Sequence, residues 1–342
     1  MRAVVIHEHG GPEVLTYEPA FPDPEPGPGE SLVRVAACGL NHLDVFVRRG
    51  MPGVATALPH ISGGDVAGTV VAHGPDPSGR AGTPGRAGTP GPAPGTRVLV
   101  DPYLRIGRTG GALGEDARGG LAELVAVPTA NLVPLPDALS DVAAAALPIA
   151  YGTALRMLVT KGAIRAGETV AVLGASGGVG TAAVQIARAA GCRVAAVASS
   201  GWKLDRLRDL GAELAVDYTA EDWSAAVWAW SDRRGADVVV DYTGADTWRA
   251  SVRTLAVGGR ILCCGATSGY EAVTDLRYLW RREASIIGSN AWERSDLEEL
   301  VRMVGDGTIT PVIDRVIGLE DVADAERAIE AREVFGKVIV TP

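Results

Sequence analysis

The chain contains a glycine-rich segment whose spacing indicates phosphate-binding chemistry. An apolar run at residues 169–173 (TVAVL) precedes the glycines of residues 174–180 (GASGGVG), and residues 181–190 carry the apolar stripe of a helix. Glycine lets a backbone turn sharply and approach a pyrophosphate, while a helix N-terminus supplies N–H donors and a partial positive charge. A second strand at residues 193–198 completes a strand–helix–strand unit, which is more specific than glycines alone. The segment predicts a dinucleotide site formed by Gly174, Ser176, Gly177, Gly178, Val179 and Gly180.

The end of that second strand indicates which dinucleotide is bound. Sites selective for NAD place an acidic residue there, which accepts hydrogen bonds from the adenosine ribose. Here Ala198 stands at that place, and Ser199, Ser200 and Lys203 follow. Hydroxyls and an ammonium can bind a 2′-phosphate that an acid would repel. The sequence therefore predicts NADPH as the cofactor, although Lys203 alone could also be a solvated residue at the start of a helix.

The predicted elements divide the chain of 342 residues into two lobes, as its length leads us to expect. The first ~70 residues read as short strands separated by turn-forming stretches such as EPGPGE. From about residue 150, apolar strands alternate with helices, a pattern typical of a parallel sheet with helices on both faces. The last ~50 residues hold two helices and two strands and are expected to return to the first lobe.

Composition and charge exclude several classes of protein. Hydrophobic residues make up 47% of the chain and charged residues 21%, as in a packed globular protein. No uninterrupted apolar run approaches the ~18 residues that a membrane span needs. The apolar run before His7 is also too short for the core of a secretory signal. We therefore expect a cytoplasmic protein with no membrane partner, and the net charge of -9 argues against a nucleic-acid partner.

The cysteines and one repeated segment have simple interpretations. None of the cysteines lies in a CxxC or a His-spaced zinc pattern, and Cys263 and Cys264, in an apolar strand-like run, are expected to be buried thiols. Residues 75–95 repeat the hexapeptide RAGTPG and consist mostly of Gly, Pro, Ala and Thr. This composition predicts a mobile surface loop, with a partner-binding arm as the alternative.

Segments along nearly the whole chain resemble the medium-chain dehydrogenase/reductase superfamily. They include RAVVIHEHGGPEVL, VAACGLNHLDVFVRRG, PHISGGDVAG, GGLAELVAVP, the glycine loop and FGKVIV. The resemblance implies an α/β protein with a GroES-like β-rich catalytic lobe, residues 1–146 and 287–342. A Rossmann cofactor lobe with a doubly wound parallel sheet, residues 147–286, is implied beside it. It also implies a homodimer in which the strand GGRILCCGA is the sheet edge that pairs between subunits, because an unpaired apolar edge invites aggregation.

The residues that hold zinc in the alcohol-dehydrogenase-like members of this superfamily are replaced here. The catalytic ligand positions match Asn41, Gly64, Asp65 and Ala145. A single carboxylate cannot hold zinc, since catalytic sites need about three protein ligands. The lobe that carries a structural zinc in those relatives is replaced by RTGGA, with Ile106 at the place of its first cysteine. We therefore predict that both zinc sites are absent.

The remaining pattern resembles that of zinc-free quinone oxidoreductases and enoyl reductases, in which Asn takes the first ligand position and Asp follows three residues later. Asn41 and Asp44 match this pattern. Hydride addition to a conjugated carbonyl or a quinone spreads charge onto a distant oxygen, so hydrogen-bond donors can replace a metal. The candidate catalytic residues are Asn41, Asp44 and Tyr151, with Tyr103 as a further candidate donor. Asn41 and Asp44 could instead brace their loop by bonding nearby backbone, and Tyr151 could simply pack.

The resemblance also implies cofactor contacts outside the glycine loop. Two of them match phosphate-facing basic residues, one matches an aromatic residue near the adenosine phosphate, and several lie in strand-end turns that line the nicotinamide half. The implied contacts are His42, Thr153, Tyr218, Thr243, Gly244, Gly265, Ala266, Thr267, Gly288, Ser289, Asn290 and Lys337.

The leading hypothesis is an NADPH-dependent, zinc-independent reductase of an α,β-unsaturated carbonyl (an enone or enoyl compound) or a quinone. Two alternatives remain open from the sequence. The same fold could catalyse a non-redox cyclisation or elimination on a metabolite, or it could be a nucleotide-binding protein without catalysis.

Overall fold

A computed structural model describes residues 1–51, 55–75, 91–106 and 109–342. Most of the RAGTPG repeat, residues 76–90, lies outside the described residues, so the loop expected there stays a prediction. The chain divides into two compact units. The first unit comprises Met1–Ile149 and Leu297–Pro342, and the second comprises Ala150–Asp296.

The strands and helices follow one another in an order that separates a β-rich part from an alternating part. Up to residue 144 the elements are β1 (Ala3–Ile6), β2 (Leu15–Glu18), β3 (Glu30–Gly39), α1 (His42–Arg49), β4 (Asp65–His73), β5 (Arg97–Val100), β6 (Tyr103–Ile106), β7 (Thr109–Ala112), β8 (Leu124–Pro128), β9 (Leu132–Pro134) and α2 (Asp141–Ala144). From residue 152 they are α3 (Gly152–Leu155), β10 (Thr169–Leu173), α4 (Gly178–Ala189), β11 (Arg193–Ala198), α5 (Gly201–Asp209), β12 (Leu214–Asp217), α6 (Trp223–Trp230), β13 (Ala236–Val240), α7 (Trp248–Thr254), β14 (Leu255–Cys263), α8 (Leu276–Arg282), β15 (Ser285–Gly288), α9 (Arg294–Gly305), β16 (Ile313–Ile317), α10 (Val322–Glu330) and β17 (Lys337–Val340).

The first unit is built around a seven-stranded sheet that joins distant parts of the chain. Its strand order is β16-β17-β3-β4-β5-β9, and β8 also pairs with β3. β17 pairs antiparallel with β3 through Ile339 opposite Gly39. The C-terminal strand therefore returns to the first lobe, as the sequence predicts, and brings Lys337 beside the loop that follows β3.

The second unit holds a six-stranded parallel sheet in the order β12-β11-β10-β13-β14-β15. The chain winds outward from β10 in both directions, so the order reverses between β10 and β13. Every residue of β10 is buried, as expected for a central strand covered on both faces. The expected combination of a β-rich lobe and a doubly wound sheet is confirmed.

One expectation about this sheet is wrong. The strand within GGRILCCGA was expected to be the sheet edge, but β14 is hydrogen-bonded to β13 on one side and to β15 on the other. The edge strands are β12 and β15. The strand β15, which covers β14, is only four residues long and carries little periodic signal in the sequence.

Within the described part of the chain, one helical segment is long and apolar enough to cross a membrane, Asp141–Lys161. Of its most apolar window, 67% is buried inside the protein. Such burial is usual for a core helix, so length and composition are weak evidence for a membrane span here.

Candidate functional site

The glycine loop between β10 and α4 has the geometry that its sequence predicts. Gly174 has a φ of +61°, and its carbonyl accepts a hydrogen bond from the Tyr242 hydroxyl at 2.8 Å. A Cβ at Gly180 would lie 2.4 Å from the Gly174 oxygen, so glycine is needed there for the helix to pack on the strand. A Cβ at Gly177 would meet nothing nearer than 3.6 Å. The space beside Gly177 is therefore open to a ligand.

The end of β11 is tied to the end of β12 through an acidic residue that the sequence analysis did not identify. The Ser200 N–H donates to Oδ2 of Asp217 at 3.1 Å, and the Tyr218 N–H donates to the Ala198 carbonyl at 3.2 Å. Hydrogen bonds from Thr219 hold the pKa of Asp217 below its usual value. A carboxylate thus lies one strand away from the position at which NAD-selective sites carry theirs.

Lys203 lies in the same region, and its burial decides between the two interpretations of this residue, a phosphate-binding cation or a solvated residue at a helix start. Its side chain is 3% exposed, and its ammonium lies 5.5 Å from the centre of the Trp202 ring. The alternative of a solvated residue at a helix start is therefore wrong. This buried cation lies in the first turn of α5, three residues after Ser200 in the chain.

The turns after β13, β14 and β15 are held together by backbone hydrogen bonds. The Thr267 N–H donates to the Tyr242 carbonyl at 3.1 Å, and the Ser289 N–H donates to the Cys263 carbonyl at 2.8 Å. These bonds bring together the predicted cofactor contacts Thr243, Gly244, Gly265, Ala266, Thr267, Gly288, Ser289 and Asn290. The Ser289 Oγ is buried and has no hydrogen-bond partner among the described residues. A ligand amide at these strand ends would meet an available hydroxyl.

Asp241 shapes the first of these turns, and the sequence analysis did not identify it as a site residue. Its buried carboxylate accepts hydrogen bonds from the N–H groups of Thr243 and Gly244 at 3.0 and 3.1 Å. The hydroxyls of Thr247 and Ser251 donate to the same carboxylate. An Asp followed at short spacing by Thr, Gly, Thr and Ser is a signal for such a turn, because Asp often bonds backbone N–H groups just after it.

In the first unit, two of the positions that match zinc ligands, Asn41 and Asp65, form a network around a buried lysine. The Lys337 side chain is 2% exposed, and its ammonium donates to the Leu40 carbonyl (2.7 Å), Asn41 Oδ1 (2.6 Å) and Asp65 Oδ2 (2.9 Å). The Ile149 N–H donates to the other oxygen of Asp65 at 2.8 Å. An ammonium has three N–H donors, and all three are directed at acceptors of the protein. This arrangement differs from the phosphate contact implied for Lys337.

Asn41 and Asp44 form hydrogen bonds that brace their own loop, which is one of the two roles that the sequence left open for them. Asn41 Nδ2 donates to the Gly39 carbonyl at 3.2 Å and to Asp65 at 2.9 Å. The buried Asp44 carboxylate accepts hydrogen bonds from the N–H groups of Asn41 (2.7 Å) and Gly63 (2.8 Å). Burial raises the pKa of Asp44 to about 6. Both side chains therefore join the start of α1 to the end of β3 and to the residues at the start of β4.

The remaining predicted residues lie outside these networks. His42 is an exposed residue at the start of α1, its ring centre 6.4 Å from that of Phe46. Tyr103 begins β6, and its carbonyl accepts a hydrogen bond from Asn131. In the second unit, Tyr151 is fully buried, its hydroxyl accepts a hydrogen bond from Gln185 of α4 at 3.3 Å, and Thr153 lies half-buried in α3.

No group of three or more His, Cys, Asp and Glu side chains is arranged to hold a metal ion within residues 1–51, 55–75, 91–106 and 109–342. At the matched positions, Gly64 and Ala145 offer no ligand atom in a side chain. The Asp65 carboxylate has an ammonium beside it instead.

Comparisons with known families match both units. The alcohol dehydrogenase GroES-like domain family matches residues 27–137, and the zinc-binding dehydrogenase family matches residues 178–306. The chain is 33% identical to crotonyl-CoA reductase of Streptomyces avermitilis, over 93% of this chain and 80% of that protein. It is 31% identical to quinone oxidoreductase of Rattus norvegicus, over 99% of this chain and 97% of that protein.

Solved structures are similar over the whole chain. A structure described as an NAD-dependent alcohol dehydrogenase has a TM-score of 0.91 and 41% identity, and covers 100% of both chains. A crotonyl-CoA carboxylase/reductase, AntE, in complex with NADP has a TM-score of 0.87 and 27% identity, covering 100% of this chain and 94% of the other. These relatives differ in cofactor and reaction, so the choice among them depends on the residues of this chain.

Proposed function

The chain belongs to the medium-chain dehydrogenase/reductase superfamily, and we propose that it is a zinc-independent, NADPH-dependent reductase of an α,β-unsaturated carbonyl compound or a quinone. It is an oxidoreductase that acts on a small molecule with a nicotinamide cofactor. The proposal concerns the identity of that cofactor, the class of acceptor and the absence of metal from the reaction.

The observation that carries the proposal is the buried Lys337–Asp65 pair. Zinc is held by several anionic or imidazole ligands, and at the matching positions only Asp65 carries such a group. That carboxylate already has a cation at 2.9 Å. Without a Lewis acid to polarise a simple carbonyl, the acceptor must itself delocalise the incoming charge, as enones, enoyl thioesters and quinones do.

The glycine loop fits the pyrophosphate of a dinucleotide. The space beside Gly177 is open, and α4 begins at Gly178 with its N–H groups directed out of the helix end. When bound, the cofactor supplies a hydride. Ser289, whose buried hydroxyl lacks a partner in the described chain, is suited to hold the carboxamide of the nicotinamide at the strand ends.

Three features support NADPH rather than NADH. No acidic residue ends β11, two hydroxyl residues follow, and the buried Lys203 supplies a cation in the first turn of α5. A 2′-phosphate would gain charge-assisted hydrogen bonds from such groups. Asp217 lies on the neighbouring strand, and its carboxylate is already hydrogen-bonded to Ser200 and Thr219.

The structure favours positioning roles for Asn41 and Asp44. Both N–H groups of the Asn41 amide have acceptors within the protein, so the amide orients Asp65 and Lys337. Asp44 fixes two backbone segments. We expect their replacement to act mainly through the geometry of the first unit.

A spectrophotometric assay tests the proposal. Purified protein is mixed with NADPH and, in separate reactions, an enone, an enoyl thioester, a quinone and a saturated ketone, and loss of NADPH absorbance is followed. We expect consumption with at least one conjugated acceptor and none with the saturated ketone. Consumption with the ketone alone would contradict the proposed acceptor class, and tight NADPH binding without consumption would favour a non-redox role.

A further inference from the structure

A basic cavity in the second unit lies between α7, the loop before α8, and α8 itself. Its volume is about 470 Å³, and its lining includes Arg249 and Arg253 of α7, Val273 and Asp275 of the loop, and Arg277 and Tyr278 of α8. None of these residues belongs to the glycine loop or to the predicted cofactor contacts. The cavity therefore needs an explanation of its own.

Positive charge is concentrated around this cavity in a chain that is otherwise acidic. Three arginines and one acidic residue line the cavity, whereas the whole chain has a net charge of -9. The carboxylate of Asp275 is used by Arg277, whose Nη2 donates to it at 2.7 Å. No hydrogen bond or ion pair joins the guanidinium of Arg249 or Arg253 to any residue in the described part of the chain. Asp275 lies near Arg249 and Asp222 lies near Arg253, but neither carboxylate forms an ion pair or hydrogen bond with them, so both guanidinium groups can still donate to an anion.

The two available arginines share one face of α7. Arg249 and Arg253 are four residues apart in a helix, so their side chains leave the same side, and both reach the cavity. Like charges repel each other, and the single carboxylate of Asp275 offsets only part of the positive charge of the three arginines that line the cavity. An anion bound between the two guanidinium groups removes that repulsion.

The walls of the cavity are held in place. The Trp248 indole N–H donates to Thr274 Oγ1 at 2.8 Å, which ties the start of α7 to the loop. Asp275 caps α8 by accepting from the Arg277 N–H at 3.1 Å. Arg282 packs 5.4 Å from the centre of the Tyr278 ring on the same helix. These contacts fix the loop and the start of α8 beside the cavity.

The loop that forms one wall also reaches the predicted nicotinamide region. It starts at the turn of Gly265 and Thr267, bridges Gly244 through Gly269, and ends at Asp275 on the cavity wall. A ligand in the cavity would thus contact the same loop that lines the strand ends.

We propose that this cavity binds the phosphate groups of a nucleotide-bearing ligand, with Arg249 and Arg253 as the phosphate ligands and Tyr278 beside the base. Guanidinium groups match phosphate oxygens through paired N–H donors, and an aromatic ring offers a stacking surface to a base. Resting on the proposed function, we identify the ligand as the nucleotide tail of a coenzyme A thioester substrate. A free polyphosphate shares the same phosphate chemistry and is distinguished by experiment.

Isothermal titration calorimetry tests the site directly, without any need for turnover. The probes are coenzyme A, adenosine 3′,5′-bisphosphate and inorganic pyrophosphate, each titrated into protein saturated with NADPH so that the dinucleotide site is occupied. We expect coenzyme A and the bisphosphate to bind and pyrophosphate to bind at least about tenfold more weakly, since it lacks a base. Equal affinity for pyrophosphate would overturn the assignment to coenzyme A.

Arg249→Ala and Arg253→Ala are expected to weaken binding of coenzyme A by about tenfold each, because each removes a charge-assisted contact. Arg253→Lys keeps the charge but loses the paired donors and should lie between. Arg281→Ala is the matched control, since Arg281 is an exposed arginine of α8 that does not line the cavity. Equal losses in the control and the cavity variants would show a general charge effect and overturn the proposal.

The result of the coenzyme A titrations can be distinguished from the result of the reductase assay. If no conjugated acceptor is reduced yet coenzyme A binds and depends on Arg249 and Arg253, the cavity assignment stands and the reaction assignment fails. If acceptors are reduced but coenzyme A does not bind, or binds equally to the variants, the cavity assignment fails alone. Thermal melting of each variant establishes that it is folded before titration.

Discussion

Lys337 shows how a single buried charge can define a site. Its ammonium is surrounded by the Leu40 carbonyl, Asn41 and Asp65, and each accepts one of its hydrogen bonds. A buried charge is tolerated only when it is paired and hydrogen-bonded. The same contacts place positive charge beside Asp65, the only carboxylate among the four positions matched to zinc ligands.

Replacing Lys337 by methionine should destabilise the protein strongly. The substitution leaves the buried Asp65 carboxylate without its counter-ion, a change that typically costs about 3–5 kcal/mol. Denaturant unfolding of wild type and Lys337→Met measures the free energy of unfolding.

A double-mutant cycle with Asp65→Asn isolates the charge pair. Because this second substitution removes the carboxylate charge that needs a partner, the double variant should be less destabilised than the sum of the two single variants. Strict additivity would mean that the two side chains do not interact energetically, and the account of this site would then be wrong.

Ser199 provides a test of cofactor choice. Ser199→Asp places a carboxylate after β11, where it should repel a 2′-phosphate and accept hydrogen bonds from an unmodified ribose. We expect kcat/KM for NADPH to fall by about tenfold or more relative to kcat/KM for NADH. Ser199→Asn is the uncharged control and should shift the ratio much less. A similar fall for both cofactors would argue against a phosphate at this position.

Residue types predicted the candidate site only in part. The sequence itself shows that position 198 is not acidic and that the zinc-ligand side chains are replaced, because each of these features depends only on the type of residue at one position. The hydrogen bond between Lys337 and Asp65 could not be predicted from the sequence, since the two residues are 272 positions apart and are brought together by the pairing of β17 with β3. Asp217 was missed for a similar reason, because it lies on a neighbouring strand.

At the scale of elements, the β10–α4 loop separates two roles of glycine. Gly180 is required by the protein itself, because a Cβ there would lie 2.5 Å from the Ala175 Cα. Gly177→Ala, with no atom nearer than 3.6 Å and a φ of -81°, should leave stability nearly unchanged. It should nevertheless weaken cofactor binding, because the added methyl group enters the space of the pyrophosphate.

Gly180→Ala is the matched comparison for this prediction. We expect it to lower the midpoint of thermal unfolding, with a cost of about 1–3 kcal/mol from overpacking. Melting and NADPH titration of both variants measure the two effects separately. Unchanged NADPH affinity in Gly177→Ala would contradict the placement of the pyrophosphate beside this loop.

The strand and helix pattern of the second unit was predictable because β-strands and helices alternate with clear periodicity. The order of the strands within the sheet was harder to predict from the sequence. β14 had the composition of an apolar edge in sequence, but β15, only four residues long, covers it. Short strands add little to a periodic signal, so the true edge emerges only from the three-dimensional pairing.

At the scale of the whole molecule, the exposed edge at β15 leads us to expect a homodimer. Ile286 on this strand is 42% exposed, and an unpaired apolar edge invites association. Ile286→Glu should therefore shift the protein toward the monomer in sedimentation velocity experiments. Val316→Glu, at a residue 50% exposed on the edge strand β16, is the control. A monomeric wild-type protein, or equal effects of both variants, would contradict the expectation.

The central claim is that reduction proceeds without zinc, and activity after metal removal tests it most directly. Protein is dialysed against a chelator until elemental analysis finds no zinc, and NADPH consumption is then measured with the conjugated acceptor on which the untreated protein acts. We predict an unchanged rate, because Lys337 rather than a metal ion faces Asp65. Loss of activity that is restored by added zinc would contradict the account.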